Sequence, residues 1–207
     1  MTDILPKYDN VAGNYYDKYN TRNPVARYLM NGFLSSFDEL TEKAGVRNAY
    51  EVGCGEGNLS MRLHDRGWEV HGSDLEETSV AEANEQCVSR NIANRFETRS
   101  LFDLKPADVS AELVICCEVL EHVPQTDRAL DVLQSLANPY LLVSVPREPI
   151  WRVLNLARGK YIGDLGNTPG HIQHWSSAAF LALLRKRFEI VEVRKPLPWT
   201  MVLCRRA

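Results

Sequence analysis

The sequence has no cysteines at C-x-x-C spacing, no apolar stretch of bilayer-spanning length, no basic run longer than Arg185-Lys186-Arg187, and no internal repeat or low-complexity tract. Each absence removes a class of protein. The cysteines, Cys54, Cys87, Cys116, Cys117 and Cys204, are odd in number. That argues against a disulfide framework or a zinc site and for buried thiols in a reducing compartment. Cys116 and Cys117 fall inside the apolar run Leu113 to Cys117, where small thiols pack well in a central strand. A membrane span needs roughly 20 apolar residues, and the opening MTDILPKYDN lacks the basic and apolar regions of a secretory leader. Stable membrane insertion is therefore not expected, and a cytoplasmic location is. A formal net charge of −3 gives no overall attraction to phosphodiesters, so nucleic acid is not an expected partner.

What is present is an ordinary globular balance, 44% hydrophobic and 25% charged over 207 residues, enough for one domain with a single buried core. Short apolar runs alternate with longer amphipathic segments, the pattern of a parallel sheet covered by helices. The spacing predicts strands at Ala49 to Gly53, Glu69 to Ser73, Phe96 to Ser100, Glu112 to Cys117, Tyr140 to Val145, Glu189 to Arg194 and Thr200 to Cys204. Helices are predicted over Asn58 to Arg66, Glu77 to Arg90, Asp127 to Ala137 and Ser177 to Arg187, with a further one from Pro24 to about Ala44 opened by its proline. Only Lys195-Pro196-Leu197-Pro198-Trp199 separates the last two strands, too little for a crossover helix, so they form an antiparallel hairpin at the sheet edge. Four stretches follow from this reading. Residues 1–46 form an N-terminal helical cover, 47–146 a nucleotide-binding core, 147–174 an insertion acting as a substrate lid, and 175–207 the terminal helix and hairpin.

At the junction of the first strand and the next helix stands Glu51-Val52-Gly53-Cys54-Gly55-Glu56-Gly57. Glycines there permit a tight turn with unusual φ and let the backbone approach a ligand beside the free amides of a helix start. Asp74 ends the second strand roughly 20 residues on, where a carboxylate accepts hydrogen bonds from both ribose hydroxyls. This much is shared with nicotinamide-dependent oxidoreductases. The spacing G-x-G-x-G, the acid two residues ahead of it, and CCEVLEHV after the fourth strand run against that alternative.

With these features the sequence resembles the class I methyltransferases that use S-adenosylmethionine (SAM) and release S-adenosylhomocysteine, and does so over essentially its whole length. The resemblance implies a doubly wound, Rossmann-like α/β fold of seven strands in the order 3-2-1-4-5-7-6. It implies that Glu51 supports the loop and the methionine ammonium, and that Gly53, Cys54 and Gly55 line the methionine and ribose. Asp74 would hold the ribose and Leu75 the adenine, joined by Ser100, Leu101 and Asp103 after the third strand. Cys117 and Glu118 would flank the methionine arm, and Tyr16 would close the pocket from the N-terminal segment.

Among such enzymes the sequence is most similar to the ubiquinone-biosynthesis O-methyltransferases, through Asn23-Pro24, CCEVLEHVP and the insertion ending GHIQHW. That likeness implies Arg22 or Arg27 on the methionine carboxylate. Glu118, Glu121 and His122 map onto a magnesium motif, E-x-x-E-H, which also recurs in metal-free relatives; the favoured reading has no metal. His171 and His122 are the candidate catalytic residues, since an imidazole near neutral pKa serves as a base. The expected reaction is methyl transfer to a small molecule, through an oxygen nucleophile, by a monomer or homodimer. A catalytically silent module that keeps the SAM pocket is the other alternative.

Overall fold

The structure is a computed structural model and describes residues 23–93 and 95–207. Seven strands form one sheet in the order β3-β2-β1-β4-β5-β7-β6, as the resemblance implies. They are β1 (Asn48–Val52), β2 (Glu69–Asp74), β3 (Phe96–Thr98), β4 (Leu113–Cys117), β5 (Tyr140–Pro146), β6 (Phe188–Arg194) and β7 (Trp199–Arg206). The first five run parallel, while β7 pairs antiparallel with both β5 and β6. Because the β6–β7 connection is short, β7 folds back at once and enters between β5 and β6.

Strand alternation sends side chains to two buried layers. Ala49, Val70, Leu113, Ile115, Leu142, Met201 and Leu203 pack toward α1 (Pro24–Ala44), α2 (Asn58–His64) and α3 (Glu77–Ser89). Tyr50, Val52, Val114, Cys116, Leu141, Val143, Val202 and Cys204 pack toward α4 (Thr126–Leu136) and α6 (Ser177–Leu184). All the cysteines are free and buried. No helix among the described residues is long and apolar enough to cross a membrane.

The start of α1 explains the Asn-Pro pair locally. Asn23 Oδ1 accepts from the amides of Val25 and Ala26 at 2.9 and 3.2 Å, and Pro24 occupies the first turn, where no amide partner is needed. The helix buries Met30, Phe33, Phe37, Leu40 and Ala44 on one face. Arg62 on α2 grips Asp38 through Nε and Nη2, at 2.8 and 2.7 Å, which fixes α1 against α2.

The insertion departs from the irregular segment that its Pro, Gly and Arg content predicts. It contains α5 (Ile150–Ala157). Trp151 Nε1 donates to Thr168 Oγ1 at 2.9 Å, and the buried Asn155 donates to the Gly166 carbonyl at 2.9 Å, tying α5 to the returning chain. At its base Arg147 N bonds Pro198 O and Glu148 N bonds Trp175 O. Amide exchange across 150–157 is expected to be slow already in the ligand-free protein; exchange at the rate of an unfolded peptide would mean that these bonds do not hold the insertion and that it orders only with ligand.

Candidate cofactor and acceptor site

Gly53, Gly55 and Gly57 all have positive φ. Gly53 is the most constrained: at φ +73° a Cβ would also lie 2.3 Å from Val119 Cγ2. The loop after β1 thus lies directly against the chain leaving β4. Gly53→Ala adds a clash to left-handed strain of about 1–2 kcal/mol, and a fall in melting temperature of several degrees is expected; an unchanged melt would mean Val119 moves aside freely. The amides of Gly53 and Cys54 bond the Ser73 carbonyl at 2.8 and 3.0 Å, pinning the loop to the end of β2. Beneath it the buried Glu51 accepts from Ser60 N and Oγ at 3.1 and 2.6 Å, so its carboxylate anchors the first turn of α2. The Cys54 side chain is in the core, and burial pushes its thiol well above the ordinary range.

Asp74 closes the loop from the neighbouring strand. Its Oδ2 accepts from Gly55 N at 2.8 Å and its Oδ1 from Glu76 N at 3.0 Å. Leu75 follows at the rim, 58% exposed. Past β3, Ser100 accepts from Phe102 N at 3.2 Å as the cap of a single 3-10 turn, Asp103 is exposed, and Leu101 is buried in the same cluster as Tyr50 and Val52. Arg27 lies on the exposed first turns of α1. Tyr16 and Arg22 lie outside the described residues.

At the end of β4, Cys117 is buried and in register with Ser144. Glu118 takes φ +60°, unusual for a residue with a side chain. Three hydrogen bonds hold it there: its amide to Ser144 O at 3.1 Å, and its carboxylate accepting from Ser144 Oγ at 2.9 Å and from Trp199 Nε1 at 2.6 Å. A magnesium set of Glu118, Glu121 and His122 does not fit this arrangement, because the Glu118 carboxylate is turned to β5 and β7.

Glu121 and His122 meet His171 instead. One ligand atom from each lies within 4.8 Å of the others, with Glu121 and His171 buried. The backbone makes the meeting: Ile172 N and Gln173 N both bond the Glu121 carbonyl, at 2.9 and 3.0 Å, and His122 Nδ1 reaches Gly170 O at 2.9 Å. His171 stacks on Trp151 at 5.6 Å between centroids, Trp151 meets Trp199 at 5.8 Å, and Trp199 meets Phe33 at 5.0 Å. An aromatic wall therefore runs from α1 across β7 and α5 to His171. Trp199 and Phe33 belong to this wall through partners distant in sequence, which no local pattern reveals. His174 is turned away, its Nε2 2.7 Å from Asn167 Oδ1, and burial beside Arg152 lowers its pKa.

Comparison with known proteins agrees with this geometry. The family described as "Methyltransferase domain" matches residues 49–139, from β1 to the start of β5. A ubiquinone biosynthesis O-methyltransferase of Coxiella burnetii is 22% identical over 195 residues, covering 87% of this chain and 82% of the relative. Its counterpart in Acinetobacter baumannii is 27% identical over 139 residues, 65% of this chain and 57% of the relative. Among solved structures, the magnesium protoporphyrin IX methyltransferase of Synechocystis PCC 6803 with bound S-adenosylhomocysteine superposes with a TM-score of 0.67 at 25% identity, covering 90% of this chain and 89% of that one. The [4+2]-cyclase SpnF, with a TM-score of 0.65 at 16% identity over 93% of this chain and 85% of its own, is alike in fold alone. Sheet order and glycine loop define a Rossmann-like methyltransferase fold. The chain carries a methyltransferase domain over residues 49–139 and is a SAM-dependent methyltransferase.

Proposed function

We propose that the enzyme methylates an oxygen of a small molecule, with SAM seated across the glycine loop and the acceptor against the Glu121, His122 and His171 cluster. The observation that carries this reading is the contact of Gly53 with Val119, which brings the cofactor loop within a few residues of that cluster. In this reading Glu51, Gly53, Cys54 and Gly55 shape the loop that receives the methionine and ribose. Asp74 binds the ribose, Leu75 and the Ser100 to Asp103 turn border the adenine, and Cys117 and Glu118 border the methionine arm. Arg27, with Tyr16 from the N-terminal segment, would cover the methionine end.

Methyl transfer from a sulfonium is an in-line displacement, so the protein mainly aligns the acceptor and excludes water. An oxygen acceptor must also lose a proton, and His171 and His122 are the groups placed to take it. The aromatic wall favours a planar or apolar acceptor. Of the arginines in the insertion, Arg152 pairs with Glu148 and Arg158 bonds Asn155, whereas the buried Arg147 Nε has no hydrogen-bond partner among the described residues. That leaves Arg147 to meet an anionic group on the acceptor. Both relatives named above as O-methyltransferases lend the oxygen reading weight.

The test is incubation of the enzyme with methyl-labelled SAM and fractionated metabolite extract, followed by identification of the labelled product. A methyl ester or ether is expected. An N-methyl product would overturn the oxygen assignment, and a protein that binds SAM yet labels nothing would be the silent module.

A further inference from the structure

We propose that Glu121, His122 and His171 form a binding site for a divalent transition metal of the zinc and cobalt class, and not for magnesium. The donor set carries the choice of metal. Two imidazoles and one carboxylate suit borderline cations, whose affinity for nitrogen ligands far exceeds that of magnesium. Magnesium demands near-octahedral oxygen coordination, and this cluster offers a single carboxylate because the Glu118 oxygens accept from Ser144 and Trp199.

The hydrogen bonds behind the imidazoles point the same way. The Gly170 carbonyl can only accept, so its 2.9 Å bond to His122 Nδ1 places a proton on that nitrogen and leaves Nε2 with the lone pair in the neutral ring. A carbonyl fixing one imidazole nitrogen in this way is the usual support for a metal-binding histidine. Gly170 is shaped for the contact: at φ +85° it allows the approach, and a Cβ would lie 3.3 Å from His122 Nδ1. The two amides on the Glu121 carbonyl close the loop that carries His171. Backbone bonds thus hold all three residues in place, in a site where Glu121 is 1% and His171 8% exposed.

Ligand atoms within 4.8 Å of one another require small side-chain rotations to reach ligand bonds of about 2.0–2.2 Å. Three protein ligands leave a coordination position open, as in catalytic rather than structural zinc sites. With the metal bound, His122 and His171 would hold it, and the Lewis acid would lower the pKa of an acceptor hydroxyl in place of a histidine base; that role rests on the oxygen-acceptor reading above, while the binding itself does not.

The experiment uses untagged full-length protein freed of metal with a chelator. Zinc is titrated against a chromophoric competitor, and cobalt(II) is added separately to read its visible absorption. A single equivalent should bind with micromolar or tighter affinity, cobalt should give the intense bands of a low-coordinate nitrogen and oxygen site, and millimolar magnesium should not displace it. His171→Ala and His122→Ala should each weaken zinc at least tenfold with the thermal melt retained, and Gly170→Ala should weaken it less. Glu118→Gln should leave zinc affinity unchanged. Absence of stoichiometric binding, unchanged affinity in His171→Ala, or loss of binding in Glu118→Gln would each overturn the site. S-adenosylhomocysteine binding, measured on the same samples, reports separately on the methyltransferase reading.

Discussion

Asp74→Ala is expected to weaken S-adenosylhomocysteine binding at least tenfold in a calorimetric titration, with far-ultraviolet dichroism unchanged. Each Asp74 oxygen already accepts one backbone amide, from Gly55 or Glu76. A carboxylate oxygen has room for a second hydrogen bond, and a ribose hydroxyl beside each would complete the pair. The substitution therefore removes two charge-assisted contacts to ligand, worth roughly 1.5–3 kcal/mol each, and releases the loop that shapes the pocket. A loss of about 1.4 kcal/mol is already tenfold, so the effect should be well clear of error. Asp74→Asn is the informative companion, because its amide group presents a donor to Gly55 N or Glu76 N and cannot restore the loop. An unchanged dissociation constant for Asp74→Ala would place the ribose elsewhere.

His171→Ala is expected to cost about 10²–10⁴-fold in turnover, the usual range for a residue that manages a proton in the transition state, while S-adenosylhomocysteine affinity stays within error. The split between turnover and cofactor binding separates chemistry from support. His171 also packs against Trp151, so a purely structural role predicts a lower melting temperature and weaker ligand binding together, with turnover falling only in step. Trp151→Phe, which keeps the stack but loses the bond to Thr168, should lower stability modestly and turnover little. Full activity in His171→Ala, measured as label transferred to the identified acceptor, would remove the residue from the reaction.

Much of the framework is legible from local pattern. The strand runs, the hairpin forced by the short Lys195 to Trp199 link, and the glycine turn followed by Asp74 each depend on neighbours in sequence, and the structure has them within a residue or two of the expected bounds. Features that depend on distant partners were not legible. Trp199 reaches Glu118 across 81 positions, and no local signal foretells that bond or the left-handed backbone of Glu118. Likewise His171 joins Glu121 because backbone amides of the insertion dock on the 3-10 turn Leu120–His122, a pairing invisible to residue type. Helix α5 was missed because glycines, arginines and prolines on either side read as loop, and because it is only two turns long and leaves the apolar Val153 and Leu156 58% and 41% exposed. Leu101 and Cys54 stand at motif positions, and their side chains are packed into the core.

The place of β7 between β5 and β6 bears on how the chain assembles as it leaves the ribosome. Strands β1 to β5 can build the parallel half of the sheet as they emerge, each beside a strand already present. β6 cannot, because its sheet partner is β7 alone, which is made after it. Until β7 arrives, β5 presents an open apolar edge with Leu142 and Val143, and β6 waits unpaired, the condition in which strands recruit wrong partners. Trp199 enters with β7, so the wall beside Glu118 is completed by the same event that seals the sheet. A nascent chain stalled before residue 199 should therefore expose a sticky edge and lack a finished acceptor pocket, and chaperone capture is best timed to that interval.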